Sequence, residues 1–221
     1  MKKGLFIVVD GPSSSGKDSI VKQVKKDLSK LGLKAISIEE TKEANYDRKK
    51  ILKAKQKGNK EAAKTIINER KKLYLEKVVP QLSIGKVVIA NRGEPSTLSY
   101  QTLNEELAIK DAWNMHRIEN IPLPNLVVIT NCSVKEAVRR EHLRKPSSEE
   151  KDERFMSGKF TMSSKEENLD RRTQIHEAYE KVKNFLEDKG LPVIYLNTDN
   201  MNVSEESKSI VSFMRKKLLY E

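Results

Sequence analysis

The sequence predicts an α/β domain in which a parallel sheet is covered by helices on both faces, and three observations carry that prediction. Five short apolar runs rich in β-branched residues recur along the chain, at 5–10, 34–38, 86–90, 125–131 and 192–197. They are near-continuously hydrophobic rather than alternating, as suits strands covered on both faces. Segments with helical spacing lie between them, and strands alternating with helices give a three-layer domain with right-handed crossovers.

In chain order, the first run leads into a helix marked by Ile20, Val21, Val24, Leu28 and Leu31, which should stop at Gly32. A second helix carries Ile66, Ile67, Leu73, Leu75, Val78 and Val79 and should end between residues 80 and 85. Later helices are expected over 97–116, 134–143, 169–186 and 205–219. Residues 145–167 break the rhythm, being polar, rich in Ser and in both charge signs, and too poor in apolar groups to form a core element. Composition leaves two readings of that stretch open: a disordered surface loop, or a lid that closes on a substrate.

A chain of 221 residues corresponds to one domain, with the lid placed at about 141–170. The longest apolar runs fall far short of the ~18 residues of a membrane span, and no signal-peptide pattern is seen, so membrane and secreted classes are not expected. The single cysteine, Cys132, allows no intramolecular disulfide and no cysteine-cluster zinc site, which fits a reducing cytoplasm; it reads best as a small buried hydrophobe. The 43 Lys plus Arg against 32 Asp plus Glu leave a net charge of +11. The basic residues are interleaved with acids along helical segments, which reads as solvated helix faces, and positive potential also suits phosphorylated ligands. With aromatics at 5% and no basic aromatic stripe, a nucleic-acid binder ranks low.

The chemistry begins at residues 10–19, DGPSSSGKDS, where the first strand runs through a glycine-bounded loop straight into a helix. This is the G-x-x-x-x-G-K phosphate loop in its required strand, loop and helix context. The loop Gly11, Pro12, Ser13, Ser14, Ser15 and Gly16 should cradle phosphates with the backbone N–H groups of its residues other than Pro12, with the helix N-terminus adding partial positive charge. Lys17 should reach the β- and γ-phosphates of ATP. Asp18 stands where such loops usually carry a magnesium-binding hydroxyl, and that hydroxyl arrives one residue later, at Ser19. Both present the hard oxygens that Mg2+ prefers.

The loop resembles that of cytidylate kinases, and the remainder, with gaps from residue 5 to about 219, is similar to the thymidylate kinase family. The resemblance implies a P-loop kinase fold and transfer of the ATP γ-phosphate to a nucleoside monophosphate, dTMP above others, in a homodimer. Lys42, in Glu40-Thr41-Lys42-Glu43, stands where the family's Arg grips the acceptor's phosphate, and Arg70 matches a helix Arg that contacts the monophosphate. In residues 90–101 Arg92, Ser96, Tyr100 and Gln101 occupy the places of the family's Asp-Arg-Tyr, Ser and Ala-Tyr-Gln pattern, so Arg92 should neutralise phosphate charge and Tyr100 with Gln101 should face the acceptor base. Arg144, with Arg139 and Arg140, is a candidate lid arginine, and Arg154, Arg171 and Arg172 are alternatives. Three departures stand out: Ser13 replaces a loop Asp, Asn91 replaces the Asp of the Asp-Arg pair, and Ile66 stands where an aromatic often stacks on the base. Asp18 is positioned to restore the carboxylate lost at Asn91.

Three alternatives remain open on the sequence, the first being a nucleoside monophosphate kinase for another base. A deoxynucleoside kinase would need a carboxylate base, for which Glu39, Glu40 and Glu94 are candidates, and a catalytically weakened nucleotide-binding protein would keep the loop without the turnover.

Overall fold

The computed structural model describes residues 4–43, 48–103, 106–143 and 165–220. All five expected strands form: β1 (Leu5–Asp10), β2 (Ala35–Glu39), β3 (Val87–Asn91), β4 (Leu126–Asn131) and β5 (Val193–Asn197). They make one parallel sheet in the order β2-β3-β1-β4-β5. β1 pairs with β3 from Leu5 opposite Val87 to Val9 opposite Asn91, and with β4 from Ile7 opposite Leu126 to Asp10 opposite Ile129. Every residue of β1, β3 and β4 is buried, which is why these strands read as unbroken apolar runs, whereas β2 and β5 form the more open edges. The winding reverses at β1, so the crevice beyond the carboxyl ends of β1, β3 and β4 is the switch point where open α/β sheets take ligands.

The helices are α1 (Lys17–Lys30), α2 (Glu40–Glu43), α3 (Arg48–Gln56), α4 (Asn59–Leu73), α5 (Val79–Ser83), α6 (Glu94–Tyr100), α7 (Ile109–Ile118), α8 (Val134–Leu143), α9 (Lys165–Asp188) and α10 (Val203–Tyr220), and a π-helical turn at Tyr74–Val78 joins α4 to α5. On one face of the sheet, Ile20, Val21, Val24 and Leu28 of α1 pack with Ile210, Val211 and Met214 of α10. Each such side chain, fully buried, contributes roughly 1.5–3 kcal/mol. The amide N–H groups of Gly32 and Leu33 reach back to the carbonyls of Ser29 and Leu28, closing α1 at the expected residue. On the other face Ala63, Ile67, Leu73 and Tyr74 pack with Leu98, Trp113, Tyr179 and Val182.

The structure differs from expectation in two places. The single helix expected over 97–116 is two, α6 and α7, and Leu107, shortly before α7, is buried in the core. That leucine is spaced from Leu103 as in a helix, and spacing alone does not reveal the break. α2 and α3 are additional; α3 buries only Ile51 and Ala54 among many lysines, too few apolar groups for the periodicity to show. Most of the expected lid at 141–170 lies outside the described residues, between the end of α8 and the start of α9. Cys132 is buried just after β4, as expected. Among the described residues no helix is long and apolar enough to cross a membrane.

Candidate active site

β1 ends in a loop whose backbone few residues could adopt. Gly11 has φ 154°, and a Cβ there would lie 2.1 Å from the carbonyl oxygen of Thr130 on β4, so only glycine fits. Ser14 is left-handed at φ 62°, and Gly16, at φ 93°, caps α1. The Ser15 hydroxyl lies 2.7 Å from that of Thr130, and Thr198 Oγ1, beyond β5, donates to Ser15 O at 3.0 Å. The loop is thus pinned across the ends of β1 and β4 with the N-terminus of α1 beneath it, an arrangement suited to phosphate. Lys17 is 7% exposed, and its ammonium donates to the carbonyls of Gly11 at 3.0 Å and Pro12 at 2.8 Å.

Opposite the loop, at the end of β3, Asn91 Nδ2 donates to Asp18 Oδ1 at 2.8 Å. The remaining oxygen of Asn91, Oδ1, is buried and has no hydrogen-bond partner among the described residues. A buried carbonyl without a partner beside an exposed carboxylate, with the Ser19 hydroxyl on the same helical turn, is a set of hard oxygens that fits Mg2+ shared with nucleotide phosphates. Arg92 follows in the left-handed region at φ 79°, with its amide donating to Val9 O at 2.9 Å.

A cleft of about 280 Å³ opens beside the loop, lined among others by Ser14, Gly16, Arg140, Leu143, Thr198 and Met201. Arg140, on α8, donates to Ser14 O at 3.3 Å, to Thr198 Oγ1 at 2.9 Å and to Thr198 O. Its Nε donates to Glu136, whose carboxyl is held down to about 2, first by its bond to Arg139 and then by Arg140. Of the other candidate lid arginines, Arg172 pairs with Glu141, Arg139 pairs with Glu136, and Arg144 and Arg154 lie outside the described residues.

The residues expected on the acceptor side are placed unevenly. Lys42 is exposed and pairs with Glu39 at 2.7 Å. Arg70 is fully buried. Its Nε and Nη2 donate bidentately to Glu40 at 2.8 Å each, and its Nη1 donates to Thr97 Oγ1 at 2.9 Å and lies 2.7 Å from His116 Nε2. His116 Nδ1 lies 2.8 Å from Ala112 O, so that nitrogen carries the proton and Nε2 accepts from Arg70. Burial first, and the Arg70 charge second, hold the His116 imidazole down to about 3, so it is neutral. The Arg70 guanidinium is thus held among Glu40, Thr97 and His116. Tyr100 is half-buried, edge-on to Tyr179 with ring centroids 6.2 Å apart, and Gln101 follows with a buried Oε1 that has no hydrogen-bond partner among the described residues. Ser96 is committed elsewhere, its hydroxyl donating to Asp10 at 2.8 Å. The carboxylates that a nucleoside kinase would use as a base are also engaged: Glu40 with Arg70, Glu39 with Lys42, and Glu94 with Arg117, which lies over the Trp113 ring.

Sequence reasoning passed over Asp10. Its carboxylate, 0% exposed, accepts from the amides of Gly11, Gly93 and Ser96 and from the hydroxyls of Ser96 and Tyr179. The available signal was a charged residue at the end of an otherwise apolar central strand, which must be matched by donors if buried.

A family model of thymidylate kinase matches residues 9–189. A thymidylate kinase of Leptospira interrogans is 28% identical over 187 residues, 82% of each chain, and one of Clostridium novyi is 30% identical over 147 residues, 63% of this chain and 71% of that one. A third, from Brachyspira hyodysenteriae, is 28% identical over 140 residues, 62% of this chain and 68% of the relative. With a pinned phosphate loop at the switch point of a five-stranded parallel sheet and a match spanning most of its length, the chain belongs to the thymidylate kinase family of ATP-dependent phosphotransferases.

Proposed function

We propose that the protein transfers the γ-phosphoryl group of ATP to a deoxynucleoside monophosphate, dTMP foremost, giving ADP and dTDP. The observation that carries this reading is the facing of the phosphate loop with Lys17 and the β3 end with Arg92 across one crevice, within a thymidylate kinase sequence. Phosphoryl transfer asks little covalent chemistry of a protein; it asks for in-line positioning and charge neutralisation. The loop from Gly11 to Lys17 holds the donor's phosphates, and the cleft beside Arg140 receives its base and sugar. Lys17 exchanges the carbonyls of Gly11 and Pro12 for phosphate oxygens. Arg92 and Lys42 neutralise the acceptor's phosphate, Arg70 fixes the wall behind it through Glu40, and Tyr100 and Gln101 face the base. The acceptor's nucleophile is its own ionised phosphate oxygen, so no carboxylate base is needed, in keeping with the engaged state of Glu40 and Glu94. Asp18, Ser19 and Asn91 would hold magnesium together with the nucleotide, and the metal would supply neutralisation of phosphate charge. The same reading makes the protein a cytoplasmic homodimer with Arg144 as the lid arginine.

The test is a coupled ADP-release assay with ATP and magnesium against dTMP, dUMP, CMP, dCMP, UMP, AMP and GMP, with the parent nucleosides as controls. Turnover with dTMP above the rest is the expected result. Silence across the panel while ATP still binds would overturn it in favour of a nucleotide-binding protein without phosphotransfer.

A further inference from the structure

The geometry points to Asp10 and Tyr179 as a positioning pair that holds Arg92 in the crevice and ties helix α9 to the phosphoryl-transfer step. This inference rests on the kinase reading above. Asp10 Oδ1 accepts from Gly11 N at 2.8 Å, Ser96 Oγ at 2.8 Å and Tyr179 OH at 2.9 Å, and Oδ2 accepts from Gly93 N and Ser96 N at 2.9 Å each. One fully buried carboxylate thereby joins three separate parts of the chain: the first residue of the phosphate loop, the turn after β3, and the middle of α9.

Arg92 sits inside that turn. Its φ of 79° is a conformation that costs a side-chain-bearing residue free energy, and such residues persist only where their surroundings over-determine them. Here the constraint comes from both sides. The Arg92 amide is fixed to Val9 O at 2.9 Å, and the next amide, that of Gly93, is fixed to Asp10. At Gly93 a Cβ would meet Val8 Cγ1 at 2.8 Å, so the turn is also held tight against β1.

Tyr179 is the only member of this cluster that belongs to α9, and it is fully buried with its ring edge-on to Tyr100. Its hydroxyl also lies 3.2 Å from Ser96 Oγ. Burial and the neighbouring Asp10 push its pKa well above the ordinary phenol value, so the hydroxyl keeps its proton and donates to Asp10. Arg92 acts on the same phenol in the opposite direction, which places the guanidinium charge within electrostatic reach of the pair. A shift of α9 is therefore felt at Asp10, and through Asp10 at the backbone that aims Arg92. The chain's own residues provide this link, with no contact from Asp10 or Tyr179 to substrate required; both act through Arg92.

The test is a double-mutant cycle in the full chain. Tyr179→Phe removes one buried hydroxyl and keeps the ring. It should lower kcat about tenfold, equivalent to ~1.4 kcal/mol, while the KM for ATP stays within about twofold, because the loop's own amides are intact. On an Arg92→Ala background, whose kcat is already reduced, the same change should have no further effect. Asp10→Asn, which turns one acceptor into an NH2 group facing amide donors, should lower kcat further than Tyr179→Phe. Tyr179→Phe with wild-type kcat, or with the same loss in both backgrounds, overturns the inference, the second result marking a purely structural hydroxyl. A wild-type protein without turnover on any monophosphate would instead count against the kinase reading, so the two failures are told apart.

Discussion

Replacing Asn91 by Asp sets two carboxylates where the structure has an amide donating to a carboxylate at 2.8 Å. The hydrogen bond is lost and like charges face each other. At 2.8 Å the repulsion is ~1.5 kcal/mol in a water-like medium and ~6 kcal/mol at an effective dielectric constant of 20. Asn91 is 8% exposed but Asp18 is open to solvent, and both side chains can rotate, so the net cost should sit near the lower end, at about 2 kcal/mol. In a domain of about this size that is a fall in Tm of roughly 4–8 °C. The sign should reverse on adding magnesium with ATP, because a divalent cation beside two carboxylates is attracted where the carboxylates alone repel. Thermal unfolding of wild type and Asn91→Asp, each alone, with ATP and a chelator, and with ATP and magnesium, reads this directly. The variant should be the less stable protein without metal and should gain more from magnesium than wild type. Equal stability without metal, or an equal magnesium increment in both proteins, would refute the assignment of this corner to the cation.

Two further outcomes are expected. Lys17→Ala should lower turnover by more than about tenfold while leaving the circular dichroism spectrum and unfolding transition close to wild type, since its Nζ donates to loop carbonyls and no element of the core rests on it; a near-normal rate would remove Lys17 from the mechanism. His116 is held down to about 3 in the folded chain against an ordinary value of 6.5, so the unfolded state binds its proton first on acidification. Its contribution to stability is therefore present above about pH 6.5 and is lost as the pH falls from there toward 3, with a slope approaching ~1.4 kcal/mol per pH unit. His176, lowered mainly by burial, adds in the same direction. Denaturant unfolding between pH 7 and 5 should show His116→Gln losing less stability than wild type, and parallel curves would contradict the neutral assignment.

Much of the architecture was legible because the strands that position the site are buried on both faces and so announce themselves as apolar runs. β1, β3 and β4 fall within a residue of where 5–10, 86–90 and 125–131 were expected. The phosphate loop was legible for a different reason: Gly11 must be glycine because the Thr130 carbonyl lies where a Cβ would go, and such a demand leaves a fixed spacing in the sequence. The pairing of charges was not legible. Arg70 reads on its helix as an ordinary surface arginine, and nothing local tells that Glu40 and His116, 30 and 46 residues away, will enclose it. Asp10 was missed likewise, since four of the five groups that satisfy it come from Gly93 after β3, Ser96 of α6 and Tyr179 of α9. The division of 97–116 into two helices was hidden by Leu107, whose helical spacing from Leu103 is fortuitous.

The central place of β1 has a consequence for the birth of the molecule. β1 pairs with strands that lie later in the chain, beginning at Val87 and Leu126. At roughly 5–20 residues per second, several seconds pass between the emergence of LFIVVD and that of the strands that cover its edges. During that interval an apolar, β-prone segment is available to chaperones or to another nascent chain, and closure of long loops, not local helix formation, should set the pace of folding. The loop after β1 thus acquires its shape long after its own synthesis, when Thr130 arrives to meet Gly11 and Ser15.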